Sequence, residues 1–156
     1  MENKKIVKKA IIAAAGMGTR FLPQTKSMPK EMLPIMGKPI IQWVVEELVD
    51  AGVTDIIIVS GYQKRALEDY FDRSIDLEQS LNKSGKTEAA EEIKRIAELA
   101  NFVYLRQKTH KGYRVGSAIP LLNAGHLIGD EPFFFVSADD MFLHRKEHGS
   151  RAKQML

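Results

Sequence analysis

Between Ala10 and Pro34 the chain reads AIIAAAGMGTRFLPQTKSMPKEMLP, and the first half of that run permits few architectures. The six residues Ala10 to Ala15 are apolar without the alternation of a half-exposed strand. They read as a central strand, residues 8–15, covered on both faces. The strand breaks into Gly16-Met17-Gly18-Thr19-Arg20, and Lys26 and Lys30 follow. Glycines let backbone N–H groups approach a phosphate, and nearby cations match its charge. The loop therefore suits a phosphorylated nucleotide. A dinucleotide-binding loop would need a third glycine where Phe21 stands, and an acid about twenty residues on at a strand end. Neither is present.

The rest of the chain alternates strand and helix. Pro39 opens a helix whose apolar face is Ile40, Ile41, Val44, Val45 and Leu48, and Gly52 follows its end as a stop. Residues 55–60 read as a second buried strand, 63–71 as a short helix, and 74–100 as helix broken near Ser84-Gly85. Strands are predicted over 101–107 and from Phe133 into Asp139-Asp140, with a helix over 116–128 between them. Such alternation predicts an α/β fold, Rossmann-like and three-layered, with a mostly parallel central sheet. Ligands of such sheets sit outside the carboxyl ends of the strands. The Gly16 loop, Arg106-Gln107 and Asp139-Asp140 should therefore share one rim.

With 156 residues the length predicts a single domain, residues 1–156, large enough for a proper core. A net charge of +3 does not argue for nucleic acid as a partner, though it suits an anionic substrate. Cysteine is absent, which removes disulfides and thiolate catalysis and fits a reducing compartment. The apolar run after the N-terminal lysines is shorter than the about seven to fifteen residues of a signal-peptide core. No stretch approaches the roughly eighteen apolar residues of a membrane span, so a cytoplasmic protein without a membrane partner is expected.

Gly16-x-Gly18-Thr19-Arg20, then Leu22-Pro23-x-Thr25-Lys26, then Pro29-Lys30-Glu31-Met32-Leu33-Pro34 resembles the sugar-nucleotide pyrophosphorylases, and more their uridylyl than their thymidylyl branch. The resemblance extends along essentially the whole chain. It implies a nucleotidyltransferase fold and the Mg²⁺-dependent reaction of UTP with glucose 1-phosphate to give UDP-glucose and diphosphate. It implies Arg20 at the pyrophosphate and Lys30 at the α-phosphate or sugar phosphate, as the catalytic cations. The implied nucleotide-binding set is Ala14, Ala15, Gly16, Gly18, Thr19, Lys26, Gln107 and Gly112, with Gln107 reading the uracil edge. Asp139 is the implied Mg²⁺ ligand. Magnesium is held through one or two carboxylates plus substrate phosphates, so a single Asp serves. Fixed cations lower the barrier of such a displacement as charge spreads onto the departing diphosphate.

Where the family carries Gly-x-Gly-x-Ala, this chain has Gly112-Tyr113-Arg114-Val115-Gly116-Ser117-Ala118, two residues longer between the glycines. Family members also continue past the Asp139 strand into a sugar-binding part. The chain is thus expected to be the N-terminal, nucleotide-binding portion of a truncated fold, and a homo-oligomer is expected for the full-length form. The altered spacing and the early end favour a second reading, a non-catalytic nucleotide-binding module or degenerate fragment. Two other motifs are set aside. Ser84-Gly85-Lys86-Thr87 resembles the end of a P-loop, but Ser80 holds the first glycine position and no strand precedes it. His144-Arg145-Lys146-Glu147-His148 has the spacing of an inverted zinc site, but no third acidic ligand follows.

Overall fold

The computed structural model describes residues 6–107, 116–142 and 149–156. Four strands form a parallel sheet: β1 (Lys9–Ala14), β4 (Asp55–Ser60), β5 (Asn101–Arg106) and β6 (Phe133–Ser137). A two-residue antiparallel hairpin, β2 (Pro34–Ile35) with β3 (Lys38–Pro39), stands apart from it. The order across the main sheet is β5-β4-β1-β6. The chain thus steps outward from β1 to β4 and β5, then returns to lay β6 on the other side of β1.

That return fixes the layers, because parallel crossovers are right-handed and opposite directions of travel place helices on opposite faces. On one face lie α1 (Ile40–Asp50), α2 (Arg65–Phe71) and α4 (Thr87–Ala97). On the other lies α5 (Ile119–Ile128). The alternation of strand side chains serves both. Ala10, Ile12, Ile56, Ile58 and Phe134 pack with Ile41, Val45 and Leu48 of α1 and with Phe71 of α2. Ile11, Ile57 and Val59 pack with Ala124 and Ile128 of α5. The register sets Ile12 between Ile58 and Val136, so β1 is buried from both faces and both edges, as its uninterrupted apolar run predicts.

Helix ends follow local chemistry. Gly52 takes φ +96°, its N–H bonds Val49 O at 2.9 Å and the next N–H, of Val53, bonds Leu48 O at 3.1 Å. This pair of bonds closes a helix through a left-handed residue. Gly85 ends α3 (Ile75–Lys83) in the same way, with Gly85 N–H on Asn82 O and Lys86 N–H on Leu81 O. The Ser84-Gly85-Lys86-Thr87 segment is therefore a helix stop between α3 and α4, as expected of a helix break.

Some boundaries differ from expectation. The helix predicted over 63–71 starts at Arg65, because Gln63 sits at φ +62°. The helix predicted over 116–128 starts at Ile119, and the last strand ends at Ser137. After Gly149 a short α6 (Arg151–Gln154) follows, capped by Ser150 Oγ accepting from Lys153 N–H. It is tied to α1 by Lys153–Asp50 and by Ala152 N–H on Glu47. The His144–His148 motif lies outside the described residues. Among those described, no helix is long and apolar enough to cross a membrane.

Ile12 is fully buried where α1 meets the sheet. Ile12→Ala should destabilise the chain by about 3 kcal/mol in urea unfolding, as a core truncation that leaves a cavity. Val103→Ala, at a position 44% exposed, should cost far less.

Candidate functional site

In an open parallel sheet the crevice forms at the carboxyl ends where the strand order reverses, here between β1 and β6. The segments leaving both strands meet there. Ala138 N–H bonds Ala13 O at 3.0 Å, which extends the pairing one residue past β6 and sets Asp139 beside the loop that follows β1. Three short 3-10 turns, Thr19–Phe21, Gln24–Lys26 and Lys30–Met32, fold the intervening chain back over the crevice.

Gly18 is required twice over. Its φ is +67°, and a Cβ there would stand 3.0 Å from Lys30 Cβ and 3.2 Å from Thr25 Cγ2. Thr25 Oγ1 donates to Gly18 O at 2.7 Å and closes the loop. The Lys30 side chain runs under this backbone, so that a Cβ at Gly16 would lie 3.6 Å from its ammonium. Lys30 Nζ then donates to Asp139 Oδ2 at 2.5 Å, and Ser137 Oγ donates to Asp139 Oδ1 at 2.8 Å. Burial pushes the Asp139 carboxyl up, but the hydrogen bonds from Lys30 and Ser137 outweigh it and hold the group below the ordinary aspartate value.

The structure thus brings together Gly16, Gly18, Lys30 and Asp139. Ala15, Thr19 and Lys26 line an adjoining cleft of about 610 Å³, closed on its far side by Tyr62, Gln63 and Lys64 from the loop after β4. That volume is of the order of ligand pockets generally, about 300–1,000 Å³. Ala14 is buried at the end of β1, beneath the loop. Arg20 and Lys26 are exposed and have no ion-pair partner among the described residues. Their charges are therefore open to an anion. Gln107 follows β5 on the same rim, its N–H on Ser60 O at 2.8 Å. Its side chain is buried and its Oε1 has no hydrogen-bond donor among the described residues. Gly112 lies outside the described residues. Asp140 is exposed and lines an apolar groove of about 570 Å³ between α1, β6 and α6 that holds none of the phosphate-directed groups.

Three residues of the site carry no role in the sequence pattern. Ser137 is two positions before Asp139, a spacing that puts both on one side of a strand and could have flagged it. Glu31 and Lys64 form a buried ion pair at 2.6 Å behind Lys30, and no sequence signal announces it. As for a metal, oxygen donors suit Mg²⁺, and Asp139 offers a part-exposed carboxylate at the crevice. No cluster of three or more ligating side chains occurs among the described residues, so a hard cation at Asp139 would complete its shell with water, backbone carbonyl or ligand oxygens.

Because the Asp139 carboxyl is held low, its charge contributes stability above the unfolded value, about 3.9, and that contribution is lost as pH falls through the folded value. Urea unfolding should show Asp139→Asn less stable than the parent at pH 7, with the gap closing as pH falls from 4 towards 2. A gap that stays constant over that range would mean packing, not charge, is what Asp139 supplies.

Residues 9–154 match the family model described as Nucleotidyl transferase. A UTP–glucose-1-phosphate uridylyltransferase of Bacillus subtilis is 56% identical over 137 residues, 88% of this chain and 46% of its own length. The crystal structure of apo UDP-glucose pyrophosphorylase superposes with a TM-score of 0.81 at 46% identity, covering 96% of this chain and 53% of that one. A UTP-bound UGPase from Acinetobacter baumannii superposes with a TM-score of 0.87 at 34% identity, covering 96% and 51%. The chain spans about half the length of the curated relatives it matches. It belongs to the nucleotidyl transferase family.

Proposed function

We propose that this nucleotidyl transferase chain carries the nucleotide-binding half of an enzyme that makes UDP-glucose and diphosphate from UTP and glucose 1-phosphate. The observation that carries the reading is Lys30, threaded under the glycine loop to Asp139 at the strand-order reversal. The names of the relatives supply the substrate class: a UTP–glucose-1-phosphate uridylyltransferase and a UTP-bound homologue.

In this reading a phosphate oxygen of glucose 1-phosphate forms a bond to the α-phosphorus of UTP. The bond from that phosphorus to the oxygen bridging to the β-phosphate breaks, and diphosphate leaves with the electron pair. Protein groups supply position and charge. Backbone at Gly16 and Gly18 admits the phosphates, with Ala14 beneath and Ala15 and Thr19 lining the cleft. Lys30 balances charge at the α-phosphate, and Arg20 and Lys26, both unpaired, meet the diphosphate portion. Gln107, with an unpartnered buried carbonyl, faces the base. Asp139 would hold Mg²⁺, which when bound offsets phosphate charge. A triphosphate competes with Asp139 for Lys30, so binding exchanges one partner of each for a ligand group. A cytoplasmic location follows from the soluble phosphorylated substrates and the absence of cysteine.

Calorimetric titration with UTP, with and without Mg²⁺, tests the reading on the chain itself. UTP should bind, more tightly with Mg²⁺. Asp139→Asn should abolish the Mg²⁺ enhancement and, because it frees Lys30, should not weaken metal-free binding. In the complete enzyme, Lys30→Ala should lower diphosphate release by about 100-fold or more, the scale of a lost transition-state cation. Absence of UTP binding would remove the nucleotide reading, and a near-parental rate with Lys30→Ala would remove Lys30 from the chemistry.

A further inference from the structure

We infer that Glu31 and Lys64 are positioning residues for the transfer reaction: Lys64 occupies the buried Glu31 carboxylate and so keeps Lys30, the neighbour of Glu31, directed at the phosphate site. The inference rests on the nucleotide reading above. Glu31 is fully buried and Lys64 is 6% exposed, with Nζ donating to Oε1 at 2.6 Å. The other carboxylate oxygen, Oε2, is buried and has no hydrogen-bond donor among the described residues.

As a stabilising device this pair is poor. Two desolvated charges rarely gain more than they lose, and an unsatisfied carboxylate oxygen adds to the cost. Its location gives it another use. Glu31 shares the turn Lys30–Met32 with Lys30, a turn closed by Met32 N–H on Pro29 O and Leu33 N–H on Lys30 O. Lys64 comes from the loop after β4, which packs so closely on the β1 loop that a Cβ at Gly61 would stand 2.9 Å from Ala15 O. The pair therefore pins the Lys30 turn to the rim of the sheet.

Electrostatics sharpen the point. Burial pulls the Lys64 ammonium below the ordinary lysine value while Glu31 opposes it, and the charges of Lys30 and Asp139 also reach it. The four side chains share one field, as two cations and two anions. If the Lys64 ammonium is removed, Glu31 remains as a buried anion, and its neighbour Lys30 is the cation placed to turn towards it. Lys30 would then leave Asp139 and the phosphate crevice. If both charges of the buried pair are removed together, nothing draws Lys30 inward. A merely structural pair would show such a rescue in stability alone, with the Lys30 ammonium sensing Asp139 in every variant.

The experiment uses the chain labelled with ¹⁵N-lysine, the Lys30 ammonium resonance being assigned by its loss in Lys30→Arg. In the parent, Asp139→Asn should shift that resonance. In Lys64→Met the resonance should no longer respond to Asp139→Asn, and the UTP–Mg²⁺ dissociation constant should rise about tenfold, the scale of one charge-assisted contact. In the double variant Glu31→Gln/Lys64→Met the response should return, with affinity within about threefold of the parent. If Lys64→Met does not fold, Lys64→Gln carries the same comparison. The inference is overturned if the Lys30 resonance still responds to Asp139→Asn in the folded single variant, or if the double variant behaves as the single one does. Should the parent bind no UTP, the nucleotide reading falls, while the resonance comparison still decides the role of the pair.

Discussion

Everything in this molecule that bears on chemistry depends on β1 being paired in parallel with β4 on one side and β6 on the other. That placement reverses the direction of chain travel at β1, so the carboxyl ends of β1 and β6 lie side by side and the loops that leave them enclose a crevice. The strand itself is held by burial. Ala10, Ile11, Ile12 and Ala14 have no exposed surface, and each face of the strand feeds a different helix layer. Removing apolar area from water on this scale is the dominant favourable term of the fold, and it is spent at the strand that carries the loop. The loop is therefore irregular backbone on the most rigid support available.

Over that support, charge is distributed by depth. The outer pair, Lys30–Asp139, is part-exposed and reachable by ligand, and the inner pair, Lys64–Glu31, is closed to solvent. Water and counterions screen the outer pair, so exchanging its partners for phosphate or metal costs little. The inner pair has no such exchange open to it, since breaking it would strand a charge in a medium that solvates it badly. One pair can respond to a ligand and the other holds still. Arg20 and Lys26, without an ion-pair partner among the described residues, add positive charge on the loop that follows β1, which raises the local concentration of anions.

Close approach of backbone is the second requirement. Gly18 and Gly61 each lie where a side chain would collide, with Lys30 in the first case and with the carbonyl of Ala15 in the second. The loops after β1 and β4 are thus packed together, and the cleft between the β1 loop and Tyr62–Lys64 is the space left over. The fold as a whole matches the structural relatives along nearly the entire chain.

The sequence by itself determined the layered α/β order, because uninterrupted apolar strands and 3.6-residue helix faces are local patterns that only a doubly covered sheet satisfies. It also singled out Gly16, Gly18, Lys30 and Asp139, the first two from a glycine turn after an apolar strand and the cation and the acid largely through the family resemblance of their motifs, and the fold brings the four together. Helix stops at Gly52 and Gly85 were legible for the same local reason, whereas the late start at Arg65 depended on the left-handed backbone at Gln63. What only tertiary structure decided is which charges meet. Lys30 and Asp139 are 109 residues apart, and Glu31 and Lys64 are 33 apart. Nothing in the one-dimensional pattern distinguishes Lys64, buried and paired, from the solvated lysines around it. Ion pairing depends on distance in space and on depth below the surface, and strand order sets both.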